Sequence, residues 1–386
     1  MALLIESSRS YGRELLKGVA LFARTRTNWS LLHQEMSIDD MPPAWLEASG
    51  VSGVIARVDT HSVDRLRQLR VPVVDVRCRH EFQNMPRVDT DDQAVARLAF
   101  DHLRDRGFER FAFCGYASTH YSTTRLRFFR EVAKAGAYPF SAYESPSAAT
   151  TGTTATEQSG ISDSVGMTNW LQTLEPPTGL FVCNDIRGQQ VLNACRLAGI
   201  DIPDDIGIIS VDDDDVICPL CDPPLSSVQP DAQGVGYRAA EILHKMINGV
   251  SADSRLELVP PKGVTSRLST QVLATPDREV AQASRFIREH ACEGIKVCDV
   301  TEHVSVSRRQ LERRFRSALS RTIHEQITTV QISRVKQLLT ETSLPLEQLA
   351  PLAGYNYKEL LSTVFKRETG ETPGEYRQRT RSGLGR

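Results

Sequence analysis

Four aspartates in succession, Asp212 to Asp215, follow the apolar run Ile206-Gly-Ile-Ile-Ser-Val211. Asn184 and Asp185 follow a second such run, Gly179-Leu-Phe-Val-Cys183. Polar groups also stand after two further runs. Glu6-Ser-Ser-Arg-Ser10 comes after Ala2-Leu-Leu-Ile5, and the stretch 116–127, which holds Arg125, comes after Arg110-Phe-Ala-Phe-Cys114. Carboxylates accept hydroxyl protons, and arginine or asparagine donates to hydroxyl oxygens. An aromatic face such as Tyr11 can cover the apolar side of a sugar. Gathered at one crevice, these groups suit recognition of a small polyhydroxyl compound and need no nucleophile. A simpler use is also open: an aspartate at a strand end, Asp185 included, can cap the next helix. Four consecutive aspartates cannot all be caps.

A second chemistry lies near the C-terminus. Arg308-Arg309 and Arg313-Arg314-Phe-Arg316 surround Leu311 and Phe315. A four-residue step puts Leu311 and Phe315 on one helical face. The arginines are then mostly outward, where they can take guanine O6 and N7 in pairs or simply be solvated. Charge along the chain agrees with a division of roles. The 386 residues carry 46 Lys and Arg against 48 Asp and Glu, a net charge of −2. From Ala281 onward the count is 18 basic to 12 acidic, a surplus of +6, which leaves 28 basic and 36 acidic, or −8, for the rest. Such a split suggests a basic module that meets a polyanion, carried on an acidic module with another task.

Signatures of other chemistries are missing. The sequence holds no G-x-G-x-x-G, no G-x-x-x-x-G-K-[ST], no G-x-S-x-G and no H-E-x-x-H. Nucleotide enzymes, elbow-type hydrolases and zincins thus lose their usual marks. Cys218-Pro-Leu-Cys221 has the spacing of a ligand pair but no second pair beside it, so no metal is expected. The eight cysteines read as free thiols, several of them inside apolar runs. Apolar residues make up 40% and charged residues 24%, as in an ordinary soluble protein, and no window approaches the ~18 apolar residues of a membrane span. The N-terminus turns acidic at Glu6, unlike a signal peptide, so a cytoplasmic location is expected.

The elements that must position these residues fall into two patterns. Up to about residue 270, short apolar runs alternate with amphipathic helices. Strands are expected at 2–5, 53–56, 71–76, 110–114, 179–183 and 206–211. Helices are expected at 11–26, 90–106, 123–136, 164–174, 186–199 and 231–248. Alternation of this kind implies parallel, doubly wound α/β sheets, and the length suffices for two lobes. Ligands bind beyond the carboxyl ends of strands in such sheets, where the polar groups above stand. The stretch 141–160, rich in Ser, Thr and Ala, reads as a mobile surface loop.

After Asp277 the pattern is helical throughout, with helices expected at 279–291, 297–303, 307–319, 322–341, 346–353, 357–369 and 373–381. Two helix-turn-helix units stand out. Ser307 is placed to cap the second helix of the first unit, and Gly354 to end the first helix of the second. Leu311/Phe315 and Leu361/Phe365 repeat the same core pair fifty residues apart. A single such turn is a weak signal; two joined by one long helix are strong.

The first region resembles a LacI-type, periplasmic-binding-protein-like sensor. The resemblance rests on Val182-Cys183-Asn184-Asp185, Ile208-Ile-Ser-Val-Asp212-Asp213, Arg125-Leu-Arg-Phe-Phe129 (with Phe128 where the family has Gly), Leu225-Ser-Ser-Val228 and Arg267. It implies that Arg125, Asn184 and Asp212 contact ligand hydroxyls. The last region resembles an AraC-type DNA-binding domain. Gly354-Tyr355, Leu361-Ser-Thr-Val-Phe365-Lys366-Arg367 and Gly370-Glu-Thr-Pro373-Gly-Glu-Tyr376-Arg377 follow that family's pattern, with Tyr355 and Leu361 in place of phenylalanines. It implies that Arg309, Glu312 and Arg313 read bases from the first unit, and Lys358, Glu359, Ser362 and Thr363 from the second. Arg308, Arg314, Lys366 and Arg367 would meet phosphates.

The combined order resembles the bacterial xylose-operon regulators. Leu3-Leu4, Tyr11-x-Arg13, Trp170-Leu-Gln-Thr-Leu174, Val259-Pro-Pro261 and Phe286-Ile-Arg-x-His290-Ala-Cys-x-Gly-Ile-Lys296 carry that resemblance. It implies D-xylose as effector and Tyr11, Arg13, Arg125, Asp185 and Asp212 as pocket residues. The resulting expectation is a sugar-sensing domain over 1–272, a linker over 273–279 and a double helix-turn-helix domain over 280–386. The protein would be a homodimer that binds promoter DNA, contacts RNA polymerase and uses no cofactor. Three alternatives stay open at this point: a carbohydrate hydrolase with Asp185 and Asp212 as paired carboxylates, a regulator with a different small effector, and a repressor in place of an activator.

Overall fold

The computed structural model describes residues 1–36, 40–117, 119–145, 163–250, 255–271, 277–319 and 321–383. The chain divides into two compact units, Met1–Val272 and Leu273–Arg386.

The first unit holds two six-stranded sheets. Strands β1 (Ala2–Leu4), β2 (Leu32–Gln34), β3 (Val54–Ala56), β4 (Val73–Asp75) and β5 (Arg87–Thr90) enter the first sheet. Strands β6 (Phe111–Tyr116), β7 (Phe140–Ser145), β8 (Thr178–Val182), β9 (Ile206–Val211) and β10 (Ser226–Gln229) enter the second. The chain then returns: β11 (Leu256–Val259) pairs with β5, and β12 (Gly263–Thr265) pairs with β10. The orders are β11-β5-β4-β3-β1-β2 and β12-β10-β9-β8-β6-β7. All pairings are parallel except β10 with β12. The chain thus crosses between the lobes after β5, after β10 and between β11 and β12. Central strands such as β9 are buried along their whole length, which is why they read as unbroken apolar runs.

The strands that the apolar-run reading passes over are those with other patterns. In β5 buried residues alternate with half-buried ones, Arg87-Val-Asp-Thr90. Thr90 is therefore the end of a strand, and the helix expected from residue 90 starts at Asp92, capped by Asp91, whose Oδ1 accepts from the amide of Ala94 at 2.9 Å. The expected loop 141–160 needs correction as well. Its first residues lie in β7, which has β6 as its single neighbour; an edge position tolerates Ser and Glu. The rest of that stretch, 146–160, lies outside the described residues.

Helices α1 (Ser10–Arg26), α2 (Asp92–Arg104), α3 (His120–Ala135), α4 (Ser164–Leu171), α5 (Asp185–Ala198) and α6 (Ala232–Ile247) cover the sheets. Helix α3 begins at His120, so most of the stretch 116–127 is helical and not loop. Helices α1 and α6 lie in backbone contact. A Cβ on Gly18 would stand 2.0 Å from the Gln233 carbonyl oxygen, and one on Gly236 would stand 2.0 Å from that of Leu15. Only glycine allows this approach.

The second unit is helical: α7 (Arg278–His290), α8 (Val297–Glu302), α9 (Arg308–Leu319), α10 (Ile323–Glu341), α11 (Leu346–Leu352), α12 (Lys358–Thr369) and α13 (Pro373–Gly383). Helix α7 starts inside the stretch expected as linker, because Asp277 caps it by accepting from the amides of Glu279 and Val280. Two apolar cores flank the long α10. Ile323, Ile327 and Val330 join Leu311 and Phe315 in one; Val335 and Leu339 join Leu361 and Phe365 in the other. Ser307 accepts from the Gln310 amide at 3.4 Å, as a cap of α9 should, and Gly354 adopts φ +79° after α11.

Candidate functional site

The carboxyl ends of the strands in the first unit bring polar side chains from both lobes together. From the first lobe come Tyr11 on α1, Arg57 after β3, and Asp89 and Thr90 at the end of β5. The Tyr11 hydroxyl lies 3.0 Å from Thr90 Oγ1, and the Arg57 guanidinium stands 5.9 Å from the Tyr11 ring centroid. Glu6 holds Arg57 at 3.5 Å and accepts from Ser8 Oγ at 2.7 Å. From the second lobe comes Arg125, which is buried on α3. Its Nε donates to Asp92 Oδ1 at 2.7 Å and its Nη1 to the Cys183 carbonyl at 2.6 Å, with the Tyr121 ring 5.3 Å away. Phe128, where the family has glycine, leaves α3 unbroken past Arg125.

Asp212 completes the cluster. It follows β9 with φ +111°, and Asp213 follows with φ +49°, a left-handed backbone that non-glycine residues avoid. The Asp213 side chain anchors this bend: its carboxylate takes Thr265 Oγ1 at 2.6 Å and Arg267 Nη2 at 2.8 Å. The carboxylate of Asp212 itself accepts no hydrogen bond from the described residues.

The charges of these groups act on one another. Burial pushes Asp89 up to about 8, and the neighbouring Asp92 adds to the rise while Arg125 opposes it. Burial raises Asp212 as well; Arg125 and Arg57 pull it down, and Asp185 and Asp92 push it further up. Burial works against the charge of Arg125, yet Asp92 and Asp212 outweigh it and hold the guanidinium firmly protonated. Two desolvated carboxylates from opposite lobes therefore share one neighbourhood with two guanidiniums. Such groups gain most from hydroxyl donors supplied by a ligand.

The other expected pocket residues take supporting positions. Asn184 is the cap of α5: its Oδ1 accepts from the Arg187 amide at 2.9 Å, and its Nδ2 donates to the Tyr121 hydroxyl at 3.4 Å. Asp185, offered above as a cap or a pocket residue, is instead the first residue of α5. Its two oxygens accept from Ser210 Oγ, from Ser227 Oγ at 2.8 Å and from the Asp214 amide at 2.8 Å. It braces β9 and β10 from inside. A hydrolase pairing of Asp185 with Asp212 would need both to face a glycosidic bond, whereas both Asp185 oxygens are engaged by donors of the protein. Arg13, exposed on α1, donates to the carbonyls of Ser7 and Ser8 at 3.2 and 3.1 Å and stands 3.8 Å from Asp214 in the other lobe. Asp89, Thr90, Arg57 and Asp92 are the members that sequence reasoning missed. Arg57 directly follows the strand expected at 53–56, a position of the same kind as Asn184 and Asp212. Asp89 lay hidden because β5 has no apolar run.

In the second unit, burial of Leu311, Phe315, Leu361 and Phe365 turns the opposite faces of α9 and α12 outward. Arg309, Glu312, Arg313, Lys358, Glu359 and Thr363 are exposed and Ser362 is part-exposed. Arg308 donates to Glu312 at 2.9 Å, Lys358 pairs with Glu347 at 2.5 Å, and Thr363 bonds the Glu359 carbonyl at 2.8 Å. Arg314 is part-buried and stands 3.6 Å from Asp277, whereas Lys366 and Arg367 are exposed. Exposed pairs of this kind are worth little and exchange readily for another anion.

Comparison with known proteins follows the same division. Residues 100–270 match the family of periplasmic binding protein-like domains, and residues 300–379 match a helix-turn-helix domain family. The chain is 30% identical over 386 residues to the xylose operon regulatory protein of Haemophilus influenzae, covering 98% of this chain and 97% of that one. It is 31% identical over 389 residues to the protein of the same name from Escherichia coli strain K12, covering 98% and 96%. A solved structure described as a xylose-binding transcription activator superposes with a TM-score of 0.77 at 29% identity, over 98% of this chain and 97% of that one.

Proposed function

Since the chain belongs to the xylose operon regulatory protein family, we propose that it is a transcription regulator whose first unit binds D-xylose and whose second unit reads promoter DNA. The observation that carries this reading is the convergence of Asp89 and Arg57 from one lobe with Arg125 and Asp212 from the other. A pentose offers hydroxyl donors to the two carboxylates and hydroxyl oxygens to the two guanidiniums. Tyr11 closes the first-lobe side, and Asn184 and Tyr121 close the second. Because the contacts come from both lobes, sugar is held best when the lobes are shut. It therefore shifts the population toward the closed sensor by its differential affinity alone. A 100-fold shift needs about 2.7 kcal/mol, within reach of a few charge-assisted hydrogen bonds.

Closure re-orients sensors paired in a homodimer, so that each second unit engages adjacent DNA with α9 and α12 in neighbouring major grooves. Arg309, Glu312 and Arg313, with Lys358, Glu359, Ser362 and Thr363, read base edges; Arg308, Arg314, Lys366 and Arg367 hold phosphates. The complex activates transcription through contact with RNA polymerase, in the cytoplasm, without metal or cofactor and without turning over its sugar. Among the described residues no helix is long and apolar enough to cross a membrane.

Calorimetric titration of the full chain with D-xylose, L-arabinose, D-ribose and D-glucose tests the reading. D-Xylose is expected to bind with the highest affinity and to tighten binding to promoter fragments. Equal affinity across the panel, or consumption of any of the sugars, would overturn it.

A further inference from the structure

The two outward faces differ in chemistry. On α9 the exposed charged side chains around Leu311 and Phe315 are Arg308, Arg309, Glu312, Arg313 and Arg316. At the start of α12 two large apolar side chains are exposed: Tyr357, the residue just before the helix, at 68%, and Leu360, in its first turn, at 48%. Among the described residues, α9 has no such side chain. With Leu361 and Phe365 buried, a turn of 100° per residue places Leu360 on the outward side, in line with Thr363 and Arg367. Tyr357 lies one turn before Leu360. Lys358, Lys366 and Arg367 are exposed on the same helix, Lys358 paired with Glu347 and Arg367 with Glu368.

We propose that Leu360, supported by Tyr357, reads the 5-methyl group of thymine in the groove occupied by α12, while α9 reads guanine through Arg309 and Arg313. The flanking cations fit the pair to a polyanion. In the major groove the thymine methyl is the apolar feature of the base edges. A reader helix contacts bases with its N-terminal residues, and Leu360 is in the first turn. The two half-sites of one protomer then differ in kind: a guanine block for the first reader and a thymine-bearing block for the second. The inference rests on the reading of α12 as a DNA-facing helix, given above.

The test uses the full chain with D-xylose and duplexes that it selects from a randomised pool. Thymines are replaced by deoxyuridine, which lacks only the methyl, in one half-site at a time. Deoxyuridine in the half-site read by α12 is expected to weaken binding about threefold to tenfold. Leu360→Ala is expected to bind thymine and deoxyuridine duplexes equally, and Leu360→Met to restore the preference. Lys366→Ala serves as the control, weakening both duplexes alike. If the unmodified protein ignores deoxyuridine while Lys366→Ala still weakens binding, the inference fails and the DNA-facing role of α12 stands. If neither change matters, both fail. If Leu360→Ala binds DNA normally but lowers transcription, the apolar pair serves a protein partner and the inference is overturned.

Discussion

Gln331 and Gly354 join the two helix-turn-helix units. Gln331 lies near the middle of α10, between the two apolar cores, and its Nε2 donates to the Ala291 carbonyl at 2.9 Å and to the Gly354 carbonyl at 3.4 Å. One side chain thus ties the end of α7 to the turn after α11. Gly354 is fitted to the joint. Its φ is +79°, and a Cβ there would stand 2.6 Å from the Ala291 carbonyl oxygen and 2.8 Å from Gln331 Nε2.

Gly354→Ala is therefore expected to cost about 1–3 kcal/mol, through left-handed strain and the forced separation of the two units. Gln331→Leu leaves the Ala291 carbonyl with only the Gly294 amide, at 3.3 Å, and is expected to cost about 0.5–1.5 kcal/mol. Denaturant unfolding followed for the second unit measures both. Wild-type midpoints would remove the joint from the account.

Asp185 and Asp212 are expected to part company on mutation. Asp185→Ala strips partners from Ser210, Ser227 and the Asp214 amide, and should destabilise the sensor by about 2–4 kcal/mol. Asp212→Asn removes a desolvated carboxylate that accepts no hydrogen bond from the described residues, and should leave the melting temperature unchanged or raised while D-xylose binding is lost. Thermal unfolding beside calorimetry separates the two roles. Loss of sugar binding from a fully stable Asp185→Ala protein would put Asp185 in the pocket.

Asp89 links sugar binding to pH. Burial pushes its carboxyl up to about 8, above its unfolded value, so the native state holds a proton that the unfolded chain releases. Asp89 therefore makes the first unit lose stability as pH rises from about 4 to about 8, with no further change above. Sugar hydroxyls favour the ionised form, so binding should release a proton and strengthen by up to about tenfold per pH unit below 8. Calorimetry in buffers of different ionisation enthalpy reads the proton directly. Zero proton release at pH 7, or a flat affinity profile carried unchanged by Asp89→Asn, would contradict it.

His102 acts with the opposite sign. It is buried, its Nε2 lies 2.8 Å from Thr270 Oγ1, and burial pushes it down to about 3. A neutral histidine that must charge on unfolding contributes stability above about pH 6.5, lost progressively as pH falls toward 3. His102→Gln should flatten the stability profile of the first unit across that window. Urea midpoints at pH 4 and pH 7 supply the check.

Arg309→Ala and Arg313→Ala are each expected to weaken binding to a selected duplex by about 1–3 kcal/mol and to relax base choice, whereas Arg314→Ala should weaken all duplexes alike. Competition binding against duplexes with single base changes distinguishes these outcomes. Uniform loss with Arg309→Ala would move that residue to the phosphates.

Much of this protein is legible in one dimension. An apolar run such as Ile206-Gly-Ile-Ile-Ser-Val211 has to be buried on both faces, and a helix with Leu and Phe four residues apart has to bury that edge. Composition and periodicity therefore determine the alternating α/β unit, the all-helical unit after it, the duplicated turns and the outward direction of most of the arginines on α9. Those consequences depend on residues close together in sequence. Tertiary structure alone decides which polar side chains meet. Asp89 at the end of β5 and Asp212 just past β9 belong to different sheets, and both face Arg125 because the chain crosses between the lobes three times. Asp185, next to Asn184 in sequence and similar in chemistry to Asp212, turns inward because Ser210, Ser227 and the Asp214 amide converge on it. A carboxylate accepts whatever donors the fold brings within hydrogen-bond reach, and that distance is a property of packing that no local pattern records.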